Sequence, residues 1–362
     1  MTEENYMNMA LELAEKGEGR VSPNPLVGCV VVKNGNIVAK GYHEMYGGYH
    51  AERNALNKIS DDDAYGADLY VNLEPCCHYG KTPPCTDIII EKNIKRVIVG
   101  CIDDNPKVGG KGIKILRDNG IEVVTGVLEE KCKKLNEIFF HCINKKSPFF
   151  AVKYAMTADG KIASYTGHSK WITGEKARGF VHRLRNRYKA IMIGINTALI
   201  DNPMLTCRID NGINPMRIIC DSKLNIDEDS NIVKTAKDVK TYIVSCKGYD
   251  LYKAERLKKK GISILTAGEN GKVVDMNVLS SLLWKEGIDS VLIEGGGEIN
   301  FSAFNSKIVN KAYVFVAPKI LGGRDAKTPV EGIGIADAKE SFKLKLESTK
   351  ILGEDILLEY GF

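Results

Sequence analysis

Two short runs constrain this chain more than anything else in it. The first is His50-Ala51-Glu52. The second opens with Glu74-Pro75-Cys76-Cys77-His78 and closes with Pro83-Pro84-Cys85. One imidazole and two thiolates form a soft nitrogen–sulfur donor set. Three protein ligands leave the fourth corner of a Zn²⁺ tetrahedron open for water, which marks a catalytic site and not a structural one. A glutamate two positions after the histidine need not be a ligand; it can stand beside the water and carry its proton. The competing arrangement is a closed zinc knot with His78 as fourth ligand and Cys76, Cys77 and Cys85 as the others. Adjacent cysteines cannot easily bind one ion together, and a closed knot leaves Glu52 without a role.

Length and composition set the frame. A chain of 362 residues suits two domains. Its hydrophobic fraction of 44% and charged fraction of 27% are those of a globular protein with a sizeable core in each half. A net charge of +5 is mild, and the run Lys258-Lys259-Lys260-Gly261 reads as the solvated end of a helix, so no nucleic-acid footprint is expected. The ten cysteines are scattered, and no signal peptide or membrane-spanning apolar run stands out. These features point to a reducing cytoplasm, no membrane partner and a small soluble substrate.

In chain order, Glu4 to Lys16 places Met7, Ala10, Leu11 and Ala14 on one helical face. Val27 to Val32 is a β-run joined through Asn34-Gly35, a hairpin signal, to Ile37–Ala39. His50 to Ile59 reads as a helix with His50 and Glu52 in its first turn. Strands are expected over Asp68–Leu73, Arg96–Cys101 and Ile121–Thr125. Helices are expected over Thr86–Lys92, Lys111–Asn119 and Leu128 to about Asn144. Such alternation is α/β, and the sheet delivers Glu74-Pro75-Cys76 at a strand's C-terminal end, where α/β sheets carry their sites. The boundary falls at Lys145-Lys146-Ser147-Pro148, giving domains 1–146 and 147–362. Beyond it, strands are expected at Phe149–Met156, Lys189–Gly194, Met216–Asp221, Thr241–Ser245 and Ile288–Glu294. A helix is expected over Glu175–Arg187, and residues 196–206 read as a polar loop. A helix from Glu298 follows Gly295-Gly296-Gly297. The closing strands Ala312–Val316, Phe342–Glu347 and Ile356–Glu359 predict an antiparallel edge on a parallel core.

The order H-x-E, then P-C and a second Cys resembles that of zinc-dependent base deaminases. By that resemblance Cys76, which follows Pro75, is the ligand beside His50 and Cys85, and Cys77 is a core thiol. Zinc lowers the pKa of its water toward neutrality, and Glu52 moves protons to the ring nitrogen and the leaving amine. The usual second half is P-C-x-x-C; here the two cysteines are separated by an insert. The string Pro-Cys-x-His-x-Gly-Lys-Thr-Pro-Pro-Cys, with Pro23-Asn24-Pro25-x-Val27-Gly28-Cys29-Val30 upstream, closely resembles the bifunctional riboflavin-biosynthesis deaminase–reductases. The resemblance implies a diaminopyrimidinone ribosylamine 5′-phosphate as substrate, deaminated at C2. It makes Asn24, His43, His78, Lys81 and Thr82 candidates for ring and phosphate contacts. Lys81 supplies a cation and Thr82 a hydroxyl for a phosphomonoester.

The second half carries Ala155-x-x-x-Asp159-Gly160, Ser169-x-Trp171-Ile172-Thr173, Gly194-x-x-Thr197-x-x-x-Asp201-x-Pro203-x-Leu205-Thr206-x-Arg208 and Glu294-Gly295-Gly296-Gly297. This set looks like the reductase half of the same family, which resembles dihydrofolate reductase in fold and uses NADPH. The implied architecture is a cytidine-deaminase-like α/β/α sandwich followed by a dihydrofolate-reductase-like α/β domain. Carried over by position, the cofactor side comprises Ala155, Trp171, Thr197, Asp201 and the run Gly296, Gly297, Glu298, Ile299, Asn300, Phe301 and Ser302. Glycines at a helix start suit phosphate. The substrate side comprises Ser169, Arg185, Leu205, Arg208 and Glu294, with Arg185 and Arg208 as a phosphate clamp. The reaction opens the ribosylamine and delivers hydride to C1′. Expected partners are Zn²⁺, NADPH and small pyrimidine nucleotides, with the chain in a homo-oligomer. The alternatives are a nucleic-acid or nucleoside deaminase with an inert second domain, and a metal-binding interaction protein with no activity.

Overall fold

The computed structural model describes Met1–Phe362, which form two compact units, Met1–Lys146 and Ser147–Phe362. The first is built on five strands: β1 (Gly28–Lys33), β2 (Asn36–Tyr42), β3 (Asp68–Leu73), β4 (Arg96–Cys101) and β5 (Glu122–Thr125), in the order β2-β1-β3-β4-β5. β1 runs antiparallel to both β2 and β3, while β3, β4 and β5 are parallel. The hairpin forms where expected, with Asn34 and Gly35 both at positive φ (52° and 80°), as a tight two-residue turn requires. The first helix, Glu3–Glu15, is capped by Thr2 with a reciprocal Asn5 bond and buries Tyr6, Met7, Ala10, Leu11 and Ala14.

Gly41 in β2 is where the site's geometry begins. A Cβ there would lie 2.4 Å from the Ala51 carbonyl oxygen and 2.5 Å from the Ala55 nitrogen, so the helix Ala51–Leu56 rests directly on the strand. The helix expected from Leu128 to Asn144 is instead two, Glu129–Leu135 and Glu137–Lys145. The break is Asn136, whose amide accepts from Leu26 N (2.8 Å) and donates to Leu26 O (2.9 Å). Bonding to a distant backbone competes with helix continuation.

The second unit has nine strands: β6 (Phe149–Thr157), β7 (Ala190–Gly194), β8 (Met216–Cys220), β9 (Thr241–Ser245), β10 (Ile262–Thr266), β11 (Ser290–Ile293), β12 (Val309–Ala317), β13 (Lys345–Leu352) and β14 (Asp355–Gly361). Their order is β10-β9-β8-β7-β11-β6-β12-β14-β13. Every pairing from β10 to β12 is parallel, and β14 and β13 add the antiparallel edge.

In this unit four segments depart from the sequence reading. Residues 196–206 are not all loop, since Ile195–Asp201 is a helix ending at Asn202 in the left-handed region (φ 39°). Only Ala198 is buried in it, so it carries no amphipathic period to read. β10 and the helix Met276–Lys285 were not anticipated. The strand expected at Phe342–Glu347 begins at Lys345, because Phe342 leaves the sheet to stack on Phe304, ring centroids 5.7 Å apart.

Candidate functional site

Three chain segments converge in the first unit. His50 is the N-cap of the helix Ala51–Leu56, Cys76 follows β3, and Cys85 opens the helix Cys85–Glu91. The nine-position insert closes on itself, because the Cys85 and Thr86 N–H groups both donate to Cys76 O (3.0 and 3.2 Å). Arg53, one residue after Glu52, donates to the Pro83 and Pro84 carbonyls (3.2 and 2.9 Å), tying the insert to the His50 helix. His50 Nδ1 lies 3.4 Å from Cys76 Sγ and 3.5 Å from Cys85 Sγ, and the three donor atoms are all within 4.8 Å of one another. Neither Cys77 nor His78 belongs to this group. Cys77 is not the core thiol expected: it is half-buried and aims its Sγ at Lys107 O (3.7 Å).

The donor set fits zinc on chemical grounds. The Cys85 thiol donates to Cys76, and with His50 it holds Cys76 well below the usual thiol range, while Cys85 is pushed up. Two thiols sharing a proton beside an imidazole is the arrangement a divalent soft cation replaces. Glu52 is buried (3% exposed), and its Oε2 has no protein partner. Burial is the main cause that raises its pKa, with Cys76 adding to it.

Around this centre, His43 is buried at 2% exposure. Its Nδ1 faces Tyr49 O (3.0 Å), which can only accept, so Nδ1 carries the proton and Nε2 accepts from Asn24 Nδ2 (3.0 Å). Its ring meets His50 edge-on at 5.2 Å, and burial lowers its pKa, keeping it neutral. The loop bearing Asn24 is secured by Asn72 and Asn136, both donating to Leu26 O at 2.9 Å. Lys81 rests its ammonium 3.9 Å above the Tyr46 ring, while Thr82 is half-buried. His78 Nδ1 is buried without a partner.

Glu74 is the residue the sequence reading passed over. Its buried carboxylate accepts from the backbone N–H groups of Asp103 (3.3 Å), Gly110 (2.9 Å) and Ile113 (3.2 Å). It thereby fixes the segment beside Pro75, where a Cβ on Gly112 would come within 2.2 Å of Pro75 O. The signal was the glutamate immediately before Pro-Cys; its partners are backbone groups far along the chain, which no motif displays.

In the second unit a cavity of about 300 Å³ opens at the C-terminal ends of β6, β7 and β11. Ala155, Trp171, Thr197, Asp201, Gly296 and Asn300 of the expected cofactor side line it, as do Ser169, Arg185, Arg208 and Glu294 of the substrate side. Leu205 is instead buried, and Ile299 and Phe301 pack inward, Ile299 against Gly194 and Phe301 against Gly332. Gly297 lies under Glu331, Glu298 is in the helix's first turn, and Ser302 bonds back to Glu298 O (2.8 Å). Trp171 is 61% exposed with the Arg178 guanidinium 4.6 Å from its ring centroid.

Arg185 does not stand free as half of a phosphate clamp. Its Nε and Nη2 grip Glu294 at 2.7 Å each, and Nη1 donates to Thr206 O (3.0 Å). Burial alone would raise the Glu294 pKa; the Arg185 fork outweighs it and holds the carboxyl at about 2. Lys153, on β6, also lines the cavity, its pKa lowered by burial with Glu294 opposing. Nothing in its sequence surroundings marked it.

Residues 1–101 match the cytidine and deoxycytidylate deaminase zinc-binding region, and residues 148–358 match the RibD C-terminal domain. The riboflavin biosynthesis protein RibD of Actinobacillus pleuropneumoniae is 52% identical over 99% of this chain and 95% of its own. That of Bacillus amyloliquefaciens is 42% identical over 98% and 95%. Among solved structures, a diaminohydroxyphosphoribosylaminopyrimidine deaminase/5-amino-6-(5-phosphoribosylamino)uracil reductase from Thermotoga maritima superposes with a TM-score of 0.87 at 39% identity, covering 99% of this chain and 98% of that one. Acinetobacter baumannii RibD gives 0.86 at 32% identity over 99% and 98%.

Fold and site together define a two-part enzyme, a zinc-dependent deaminase of the cytidine-deaminase fold joined to a dihydrofolate-reductase-like reductase that uses NADPH. The chain belongs to the RibD family of bifunctional riboflavin-biosynthesis proteins. No helix in it is long and apolar enough to cross a membrane.

Proposed function

We propose that Met1–Lys146 carries the deaminase and Ser147–Phe362 the reductase, with the residues named above as their working parts. The enzyme deaminates 2,5-diamino-6-ribosylamino-4(3H)-pyrimidinone 5′-phosphate and then reduces the ribosyl chain, giving 5-amino-6-ribitylaminouracil 5′-phosphate. The observation that carries the deaminase assignment is the convergence of His50, Cys76 and Cys85 beside a buried Glu52 with a partnerless oxygen. Zinc held by those three donors supplies Lewis acidity toward water. Glu52 takes the water proton at Oε2 and passes protons to the ring nitrogen and the departing amine. Neutral His43 orients the Asn24 amide toward the ring, with His78 alongside, and Lys81 and Thr82 receive the phosphate.

In the reductase, bound NADPH would supply the hydride for reduction at C1′. Thr197, Asp201, Ala155, Trp171 and the backbone from Gly296 to Ser302 hold the cofactor. Ser169 and Arg208 hold the nucleotide, with Arg185 and Glu294 setting the wall between it and the cofactor. Lys153, in the cavity wall, serves as the general acid: a lysine whose pKa is lowered by burial gives up its proton more readily as the ribose ring opens. Ten free cysteines support a reducing cytoplasmic location. The outer strand β13, with Leu346 and Ile351 54% and 79% exposed, supports a homo-oligomer.

The test follows both products. Zinc-loaded protein given the diaminopyrimidinone nucleotide should release ammonia without NADPH, and absorbance at the nicotinamide band should fall only when NADPH is added. Ammonia release with no NADPH consumption would overturn the reductase half.

A further inference from the structure

Arg217 on β8 is fully buried, at 0% exposure, and no carboxylate bonds to it. Its five N–H groups are matched by five oxygen contacts. Nε donates to Thr241 Oγ1 (2.9 Å), Nη1 to Thr235 Oγ1 (2.8 Å) and Met204 O (3.3 Å), and Nη2 to Thr235 O (2.9 Å) and Val239 O (3.1 Å). Burying a cation without an ion partner is costly, and burial brings this guanidinium's pKa down to about 10. An apolar side chain would fill the same strand position at no such cost, so the contacts themselves need an explanation.

Four of the five go to the turn between residues 235 and 241. The fifth reaches the segment Asn202–Arg208, which leads into the reductase cavity. That segment is held at successive points: Asn202 by Asn231 (2.8 and 2.9 Å), Met204 O by Arg217, Thr206 O by Arg185 (3.0 Å) and Cys207 N by Asn214 (2.9 Å). Leu205, between the two guanidinium-bound carbonyls, is in the left-handed region at φ 52°, which a leucine adopts only under constraint. The structure assigns to Arg217 the role of a positioning residue for the reductase: from within the core, it sets the backbone that packs Leu205 inward and presents Arg208 to the pyrimidine nucleotide. This rests on the substrate-side reading of Arg208.

Arg217→Lys keeps the charge but offers three donors from one point, so it cannot serve both Met204 and the 235–241 turn. We expect R217K to raise the KM for the nucleotide about tenfold, roughly the loss of one hydrogen bond to a charged group, with the KM for NADPH unchanged. A merely structural role would lower the active fraction and leave both KM values alone, and that result overturns the inference. If R217K does not fold, Thr235→Ala decides. It strips one acceptor from the same Nη1 and should raise the nucleotide KM about threefold; an unchanged KM overturns the proposal. Arg208→Ala separates the two levels. If it raises the nucleotide KM while R217K and T235A do not, positioning by Arg217 is wrong. If it leaves that KM unchanged, the substrate-side reading fails and the inference with it.

Discussion

Glu52 and Glu294 are both buried carboxyls, and the two are treated in opposite ways. Burial raises the first, whereas a bidentate guanidinium depresses the second to about 2. Glu52→Gln preserves shape and removes the proton carrier, so ammonia release should fall by about 10²–10⁴-fold while zinc content, read by atomic absorption, is retained. Full activity in that variant would remove Glu52 from the mechanism. For Glu294 the folded pKa lies below its ordinary value of 4.5, so its stabilising contribution is complete above that pH and is lost as pH falls toward about 2. Glu294→Gln should therefore be less stable than the parent at neutral pH by about 3–5 kcal/mol, because Arg185 is left buried and unpaired. Urea titrations across that acid window should show the parent losing stability and the variant losing less. The meeting of His50, Cys76 and Cys85 beside Glu52 was legible in the sequence because few residue types bind zinc and their spacing is constrained. It hid Arg53, Glu74 and Lys153 because their contacts are with backbone or side chains remote in the chain.

Elements reach these positions through close backbone approaches. The helix that starts after His50 lies on β2 only because Gly41 has no side chain. Gly41→Ala places a methyl about where the Ala51 carbonyl and Ala55 nitrogen now sit, and backbone cannot rotate away as a side chain can. Overpacking of this kind costs about 1–3 kcal/mol. The variant should unfold at lower urea concentration and lose zinc faster to a chelator, since His50 and Glu52 move with the helix; unchanged zinc retention would show that the helix can shift without its first turn. Long elements with a clear period, such as Glu3–Glu15, Glu175–Arg187 and the strands Asp68–Leu73 and Arg96–Cys101, were read from sequence to within a residue or two. The helix Ile195–Asp201 was not, since it leaves Leu199 and Ile200 47% and 76% exposed and buries one alanine. Its helicity comes from lying at the end of β7, a tertiary cause without a local pattern.

At the scale of the whole molecule, the α/β alternation and the antiparallel edge followed from the order of apolar runs. The pairing order of nine strands did not, because parallel crossovers leave no mark on which strand becomes the neighbour. Each unit has its own apolar core: one cluster is drawn from Tyr6 through Cys132, and the others lie wholly beyond Phe149. The donor set for zinc and the cavity with Arg208 and Glu294 accordingly belong to different compact units. This predicts a double dissociation. Removing zinc with a chelator should abolish ammonia release and leave NADPH oxidation intact when the already deaminated nucleotide is supplied. Arg208→Ala should do the reverse, slowing NADPH oxidation while ammonia release from the diamino substrate continues at the parental rate. Loss of both activities on chelation would mean that the reductase unit depends on the metal centre, and the two halves would then have to be treated as one folding unit despite their separate cores.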